Sequence, residues 1–199
     1  MVRLVLTLTL ASLASLTNAQ VLVLPDGATG FGLSVGTGLT DDIADVAAGV
    51  TLTTSARSDI AVSYARAPLN DGLNAFGVGF AYYIQVEDAQ RTAFTVTAQR
   101  VTGDRIDPLT VIAIGATAGR QLDAGDSILL IPSLSASVGA VIGSGIQTAA
   151  GVELLLSSSG STRLYAGPSV SLNSNQAAYA RGFDRLTVGM TAGVAFGSP

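Results

Sequence analysis

The stretch that decides the fold is "NAFGVGFAYYIQV", residues 74–86. Its even positions from 76 to 86 are large and apolar, whereas its odd positions are mostly small or polar and carry no charge. Alternation with a period of two predicts a β-strand, because successive side chains of a strand point to opposite faces of the sheet. A soluble sheet hides its large residues and exposes charged ones. The uncharged small face therefore indicates a strand without an ordinary solvated surface.

The same alternation recurs about ten times along the chain. We predict strands near residues 29–37, 48–55, 59–67, 73–86, 91–101, 108–118, 127–141, 145–156, 162–172 and 185–196. Turn-forming segments separate these strands and hold almost all of the acidic residues. From Phe76 to Val86 a strand would extend about 33 Å, and tilted near 45° it would cross about 23 Å, close to the apolar band of about 25 Å. Alternating segments of this kind are the sequence signature of a transmembrane β-barrel.

Composition narrows the function. The 199 residues are 48% hydrophobic but only 12% charged, whereas about a quarter of the residues of a soluble domain are charged. The chain has no Cys, His, Trp or Lys, so disulfides, thiolate metal sites, histidine bases and lysine Schiff bases are excluded. We therefore expect neither enzyme activity nor a cofactor. The net charge of −4 and the lack of a basic stripe argue against a nucleic-acid partner.

The first twenty residues, "MVRLVLTLTLASLASLTNAQ", have the features of a secretory signal peptide. Arg3 precedes a thirteen-residue, mainly apolar run from Leu4 to Leu16, and small residues stand before a predicted cleavage site at Gln20. We predict that residues 1–19 are removed and that residues 20–199 form the exported β-barrel domain.

The signal peptide, the repeated alternation and a last strand ending at Phe196 resemble the small bacterial outer-membrane β-barrel proteins. The resemblance covers essentially the whole mature chain, at the level of pattern. It implies an all-β, antiparallel up-and-down transmembrane barrel of about ten strands, with eight as the alternative. It also implies location in the bacterial outer membrane, a structural or narrow-pore role, and outer-membrane lipid around the barrel. In that class the barrel-assembly machinery reads the last strand, so we expect this machinery as a partner.

The alternation assigns a face to each strand residue. Near the strand ends, Tyr64, Tyr82, Tyr83 and Phe196 are expected to form interfacial aromatic belts. In the lumen we expect Glu153 to pair with Arg163, because both occupy inward positions on adjacent strands around the turn "SSSGS". The residues predicted to face lipid are Phe76, Val78, Phe80, Tyr82, Ile84, Val188, Met190, Val194 and Phe196.

Three features leave alternatives open. Residues 20–28 could plug the lumen, or water could fill it. Pro132 and Pro168 fall within predicted strands, which implies a bulge or a different strand boundary. Asp41, Asp42 and Asp45 are expected in an exposed loop or a capped helical turn rather than in a Ca²⁺ site.

A different class of protein also fits the alternation. A soluble exported β-barrel that binds an apolar ligand would point the large residues inward and the small ones toward water. The scarcity of charge along the strands argues against this alternative.

Overall fold

Backbone hydrogen bonds close the sheet on itself. In the computed structural model of the chain, β1 pairs with β11 and every other wall strand pairs with its neighbours, always antiparallel. The structure describes residues 23–25, 27–40, 43–55, 57–67, 72–87, 89–104, 106–143, 145–175 and 185–198. The strands are β1 (Thr29–Thr40), β2 (Ile43–Ser55), β3 (Ser58–Ala67), β4 (Leu73–Glu87), β5 (Gln90–Gly103), β6 (Ile106–Arg120), β7 (Leu122–Gly125), β8 (Ile128–Val141), β9 (Gly145–Ser158), β10 (Thr162–Asn175) and β11 (Arg185–Ser198). This is a ten-stranded barrel, with β7 as a short extension of β6, and the predicted antiparallel barrel of ten strands is confirmed.

The observed strands extend a few residues beyond the predicted ones. The largest difference is at β2, where Thr40 pairs with Ile43 in a tight hairpin and the strand already includes Asp45. Asp45 faces inward and is buried, so the predicted loop or helical turn is wrong at this residue. In the sequence, a charged residue near a strand end resembles a turn residue, because the sequence alone does not show that the position faces the lumen. Asp41 and Asp42, like the predicted signal peptide, lie outside the described residues.

No helix in the described part of the chain is long and apolar enough to cross a membrane.

The pairing register fixes the tilt of the strands. A row of opposed residues is followed around the barrel from Gln90 and carried in unchanged register across two gaps in the ladders. It returns to β5 at Thr102, twelve residues further along the strand. For ten strands about 4.8 Å apart, this offset corresponds to a tilt of about 40° and a backbone radius of about 10 Å. We call these residues the register row. The row runs through Gln90, Arg120, Pro132, Leu154, Pro168, Met190, Thr37, Val46, Arg66 and Asn74 to Thr102.

The register row lies on the outer face of the barrel and marks the limits of an apolar belt. Between Arg120 near one rim and Arg66 near the other, every member is apolar or threonine. Seven strand spacings separate these two arginines, which at this tilt amounts to a rise of about 22 Å along the barrel axis. The belt therefore matches the apolar band of about 25 Å that surrounds transmembrane barrels.

The large apolar residues point outward. All nine residues predicted to face lipid lie on the outer face, and all are exposed except Val194, which is half-buried between the neighbouring Leu33 and Leu164. Their contact with lipid remains a prediction. Tyr64, Tyr82 and Phe196 are also on the outer face, but Tyr83 points inward and is fully buried. The prediction for Tyr83 is wrong because its parity, not its place near a strand end, decides its face.

Pro132 and Pro168 interrupt the hydrogen-bond ladder without shifting its register. Between β6 and β8 the pairs stop at Gly119–Ser133 and resume in the same register at Leu122–Leu130. Between β9 and β10 they stop at Pro168 in the same way. A proline has no N–H to donate, so each residue removes the bond toward one neighbouring strand while the other ladder continues. The expected bulges are therefore replaced by gaps, and the gap at Pro132 is what separates β7 from β6.

The parity of β4 can be tested directly, because the chain has no Cys. Single cysteines at positions 76 to 82 can carry an environment-sensitive fluorophore in protein refolded into bilayers. Labels at Phe76, Val78, Phe80 and Tyr82 should be quenched by lipid-borne quenchers, whereas labels at odd positions should not, because only one face of the strand meets lipid. Equal lipid quenching at both parities would contradict the orientation of the strand.

Candidate functional site: the closed end of the lumen

A short segment before β1 folds back into the barrel at the end where both termini of the sheet lie. We call residues 23–28 the plug segment, of which all but residue 26 are described. The Ala28 N–H donates to the Pro25 carbonyl at 3.2 Å, and Gly27 has a φ of 76°. This is a tight turn whose third position has a positive φ, which favours glycine. The sequence "PDG" thus reverses the chain between the lumen and the first strand.

The plug segment is anchored by apolar packing. Val23 and Leu24 are almost completely buried, in one cluster with inward side chains of β8 to β11. The wall leaves room for them because Gly197 faces inward, and a Cβ there would lie 3.0 Å from the Leu24 side chain. The wall members of the cluster are Leu129, Ile131, Leu155, Tyr165 and Ala195. The plug segment therefore has large inward residues of four neighbouring strands as its packing partners.

Two polar side chains hold the plug backbone. The Arg163 guanidinium donates to the Val23 carbonyl and, at 3.2 Å, to Gln121 Oε1. Gln121 Nε2 in turn donates to the Leu24 carbonyl at 2.8 Å. Arg163 also donates through Nε to the Gly160 carbonyl at 3.0 Å, which ties it to the β9–β10 turn. Arg163 and Gln121 together form what we call the latch, and it satisfies two carbonyls that have no partner in a strand.

The opposite side of the same end is closed by polar side chains. Asp59 faces Thr53, Tyr83 and Arg91, and each of these four residues is at most 4% exposed. They come from β2, β3, β4 and β5, so the cluster spans the half of the wall that the plug contacts do not reach. Because Asp59 and Arg91 carry opposite charges, the cluster can retain both in a buried position. Buried side chains thus line this end of the lumen on β2 to β5 and on β8 to β11.

Glu153 lies deeper in the lumen. It is 8% exposed and faces the Thr191 hydroxyl, but neither carboxylate oxygen makes a hydrogen bond with a described residue. A buried carboxylate without a bonded partner is costly. Among the described residues no group of three acidic side chains could hold a metal ion.

The predicted contact between Glu153 and Arg163 is not formed. Glu153 is opposite Ser169, six residues along β10 from Arg163. The prediction assumed a three-residue loop, but the β9–β10 ladder starts only at Ser157–Tyr165. Before that point Thr162 already pairs with Phe196 of β11, and Ser158 Oγ accepts from the Leu164 N–H. This longer excursion shifts β10 along β9 and carries Arg163 to the plug segment instead.

Sequence reasoning missed Gln121, Asp59 and Tyr83. Gln121 stands at the ladder gap, and its role depends on a contact with a residue 97 positions away. The only available signals were parity, which places all three inward, and the apolar lead that precedes the first strand.

Comparison with known proteins gives structural likeness only. No family model and no curated protein sequence matches the chain. A bacterial polysaccharide outer membrane secretin is 13% identical with a TM-score of 0.46, and the match covers 85% of this chain and 66% of the secretin. The β domain of the Bordetella autotransporter BrkA is 10% identical with a TM-score of 0.49, covering 87% of this chain and 100% of that domain. Neisserial surface protein A is 13% identical with a TM-score of 0.42, covering 86% of this chain and 97% of its own.

Proposed function

We propose that this chain is a bacterial outer-membrane β-barrel with a structural role, whose narrow lumen is kept closed by its own plug segment. The observation that carries the proposal is the pair of buried residues Val23 and Leu24, held inside the wall by the Arg163–Gln121 latch. A protein that served as a permanently open pore would have no use for an apolar segment held inside its lumen.

The outer surface supports membrane insertion. Large apolar side chains cover it, and outward arginines stand only near the rims of the belt among the described strands. Lipid cannot hydrogen-bond to the backbone, and a closed sheet needs no such bonds. The orientation is the reverse of the one that a soluble barrel with an apolar interior requires.

The strength of the closure follows from the plug contacts. Burial of a Val or Leu side chain is worth about 1.5–3 kcal/mol. A hydrogen bond to a charged group adds about 1.5–3 kcal/mol. A net closure of only about 4 kcal/mol would already favour the closed state about a thousandfold. The plug segment is therefore expected to stay bound inside the lumen as a stable part of the fold.

Export and assembly belong to the same proposal. Cleavage before Gln20 would leave three residues ahead of Val23, which frees the plug segment from the apolar signal peptide. The barrel-assembly machinery would act on β11, the strand that closes the sheet against β1. We propose no catalytic role, since the chain offers neither a histidine nor a lysine as a base.

Cell fractionation tests the location. Expressed in a Gram-negative host with its own N-terminus, the protein should appear in the outer-membrane fraction and require detergent for extraction, because the belt has no charged surface for water. Recovery as a detergent-free soluble periplasmic protein would contradict the proposal.

Planar-bilayer conductance tests the closure. The refolded protein should show no steady conductance, whereas Arg163→Ala combined with Gln121→Ala should give discrete openings, because the plug carbonyls lose their donors. Arg100→Ala, on the outer face, is the matched control and should stay closed. A latch variant that folds but remains silent would contradict the idea that the plug segment keeps a pore closed.

The revised position of Arg163 can be tested by a double-mutant cycle in denaturant. Arg163→Gln should lower the free energy of unfolding by about 1–3 kcal/mol, because the Val23 carbonyl loses a charged donor. Glu153→Gln should be neutral or stabilising, because it removes a buried charge without a bonded partner. Since about six residues of strand separate the two sites, their effects should add within about 0.5 kcal/mol. A coupling energy well above this value would indicate that Glu153 and Arg163 are in contact after all.

A further inference from the structure

An outer-surface groove of about 660 Å³ crosses the half of the apolar belt that lies nearer the closed end. Nine of its thirteen lining residues belong to two neighbouring rows on the outer face. One is the register row, from Gln90 and Arg120 through Pro132 and Leu154 to Pro168. The other consists of Ala118, Leu134, Val152 and Val170. The remaining four lining residues are the inward residues between those rows, Gly119, Ser133, Glu153 and Ser169.

The groove follows from the two prolines. Both ladder gaps lie on the register row, on either side of the β8–β9 pair, so the wall lacks two cross-strand bonds at neighbouring points. The outward side chains beside the gaps are small: Pro132 and Ala118 are only half-exposed. Leu134, at the edge of the groove, is 62% exposed. On the inner side of the second gap, Gly167 is required, since a Cβ there would collide with the Leu154 carbonyl. The depression is therefore built into the sheet rather than into a mobile loop.

The direction of the groove is set by the strand tilt. The register row starts at Gln90 and Arg120 beside the rim of the closed end and climbs toward the belt centre. From Arg120 to Pro168 it crosses three strand spacings, about 14 Å along the surface and about 9 Å along the barrel axis. The groove thus begins with an exposed cation at the interface and ends in an apolar region inside the belt.

We propose that this groove binds one acyl chain of a membrane phospholipid whose phosphate is held by Arg120. Charge complementarity and direction support this occupant. Among the exposed groove residues the one charged side chain is the Arg120 guanidinium, which stands at the interfacial end, whereas the lining residue Glu153 is buried and points into the lumen. An arginine can donate two parallel hydrogen bonds to a phosphate. An anionic phospholipid is therefore preferred over a zwitterionic one. The inference rests on the membrane insertion proposed above and adds a specific lipid site to it.

Tryptophan quenching can locate such a lipid, because the chain has no tryptophan of its own. Leu156→Trp places a reporter beside the groove without filling it, and Leu52→Trp on β2 is the matched control. The two leucines are outward, 55% and 50% exposed, and stand at about the same height along the barrel axis by the strand geometry. Each variant is refolded in phosphatidylcholine vesicles that contain brominated phosphatidylglycerol or brominated phosphatidylcholine. The readout is the ratio of the two lipid association constants at each reporter.

At Leu156→Trp we expect a preference of about fivefold for the anionic lipid, as for one arginine near an anionic headgroup. At Leu52→Trp the ratio should be near one. Adding Arg120→Gln should abolish the preference, Arg120→Lys should retain most of it, and Ala118→Leu should weaken quenching by both lipids because it fills the groove. Equal ratios at both reporters, or a preference that survives Arg120→Gln, would overturn the site. Absence of quenching at both reporters would instead refute membrane insertion itself.

Discussion

Closure of the sheet between its first and last strands is the constraint on which the rest of the structure depends. Eleven residue pairs join β1 to β11, and Phe31 stacks on Phe196 across this seam with ring centroids 4.8 Å apart. An open edge would leave backbone N–H and C=O groups without partners, which is costly wherever water is excluded. Once the sheet is closed, each strand has one face outside and one inside. The alternation of side chains along the strand then decides which of them point outward and which point into the lumen.

The interior is shaped by the same parity. A wall with a radius of about 10 Å has little room inside, so most inward positions carry Gly, Ala, Ser or Thr. Larger inward groups gather near both ends: Leu129, Ile131 and Leu155 meet the plug segment at the closed end. At the other end, apolar clusters include Leu73, Val101, Val111 and Val141. The polar latch and the apolar cluster are complementary, since one satisfies the plug carbonyls and the other covers its side chains. The closed end thus holds one of several small apolar clusters inside the barrel.

Much of the fold could be predicted from the sequence because parity is a local signal. The alternation in residues 74–86 placed Phe80 outside and Gly79 inside without knowledge of any other strand. Contacts that depend on register could not be predicted in this way. Parity pairs Arg163 with Glu153 only if the β9–β10 loop is short, and Gln121 gives no signal beyond its inward parity because its partner lies in the plug segment. Tyr83 shows the difference within one residue: its strand was predicted correctly, but its face was judged by position rather than parity.

Pro132 and Pro168 each change the hydrogen bonding of one strand, and together they shape the outer surface of the barrel. Each removes one backbone donor, which is a local effect readable from the sequence. Only the register shows that both losses fall on one row and flank the same strand pair, β8 and β9. A barrel tolerates such gaps because the remaining pairs of each ladder keep the register unchanged on both sides. The cost is therefore confined to a few carbonyls, while the outer surface gains a depression whose direction is dictated by the tilt of the strands.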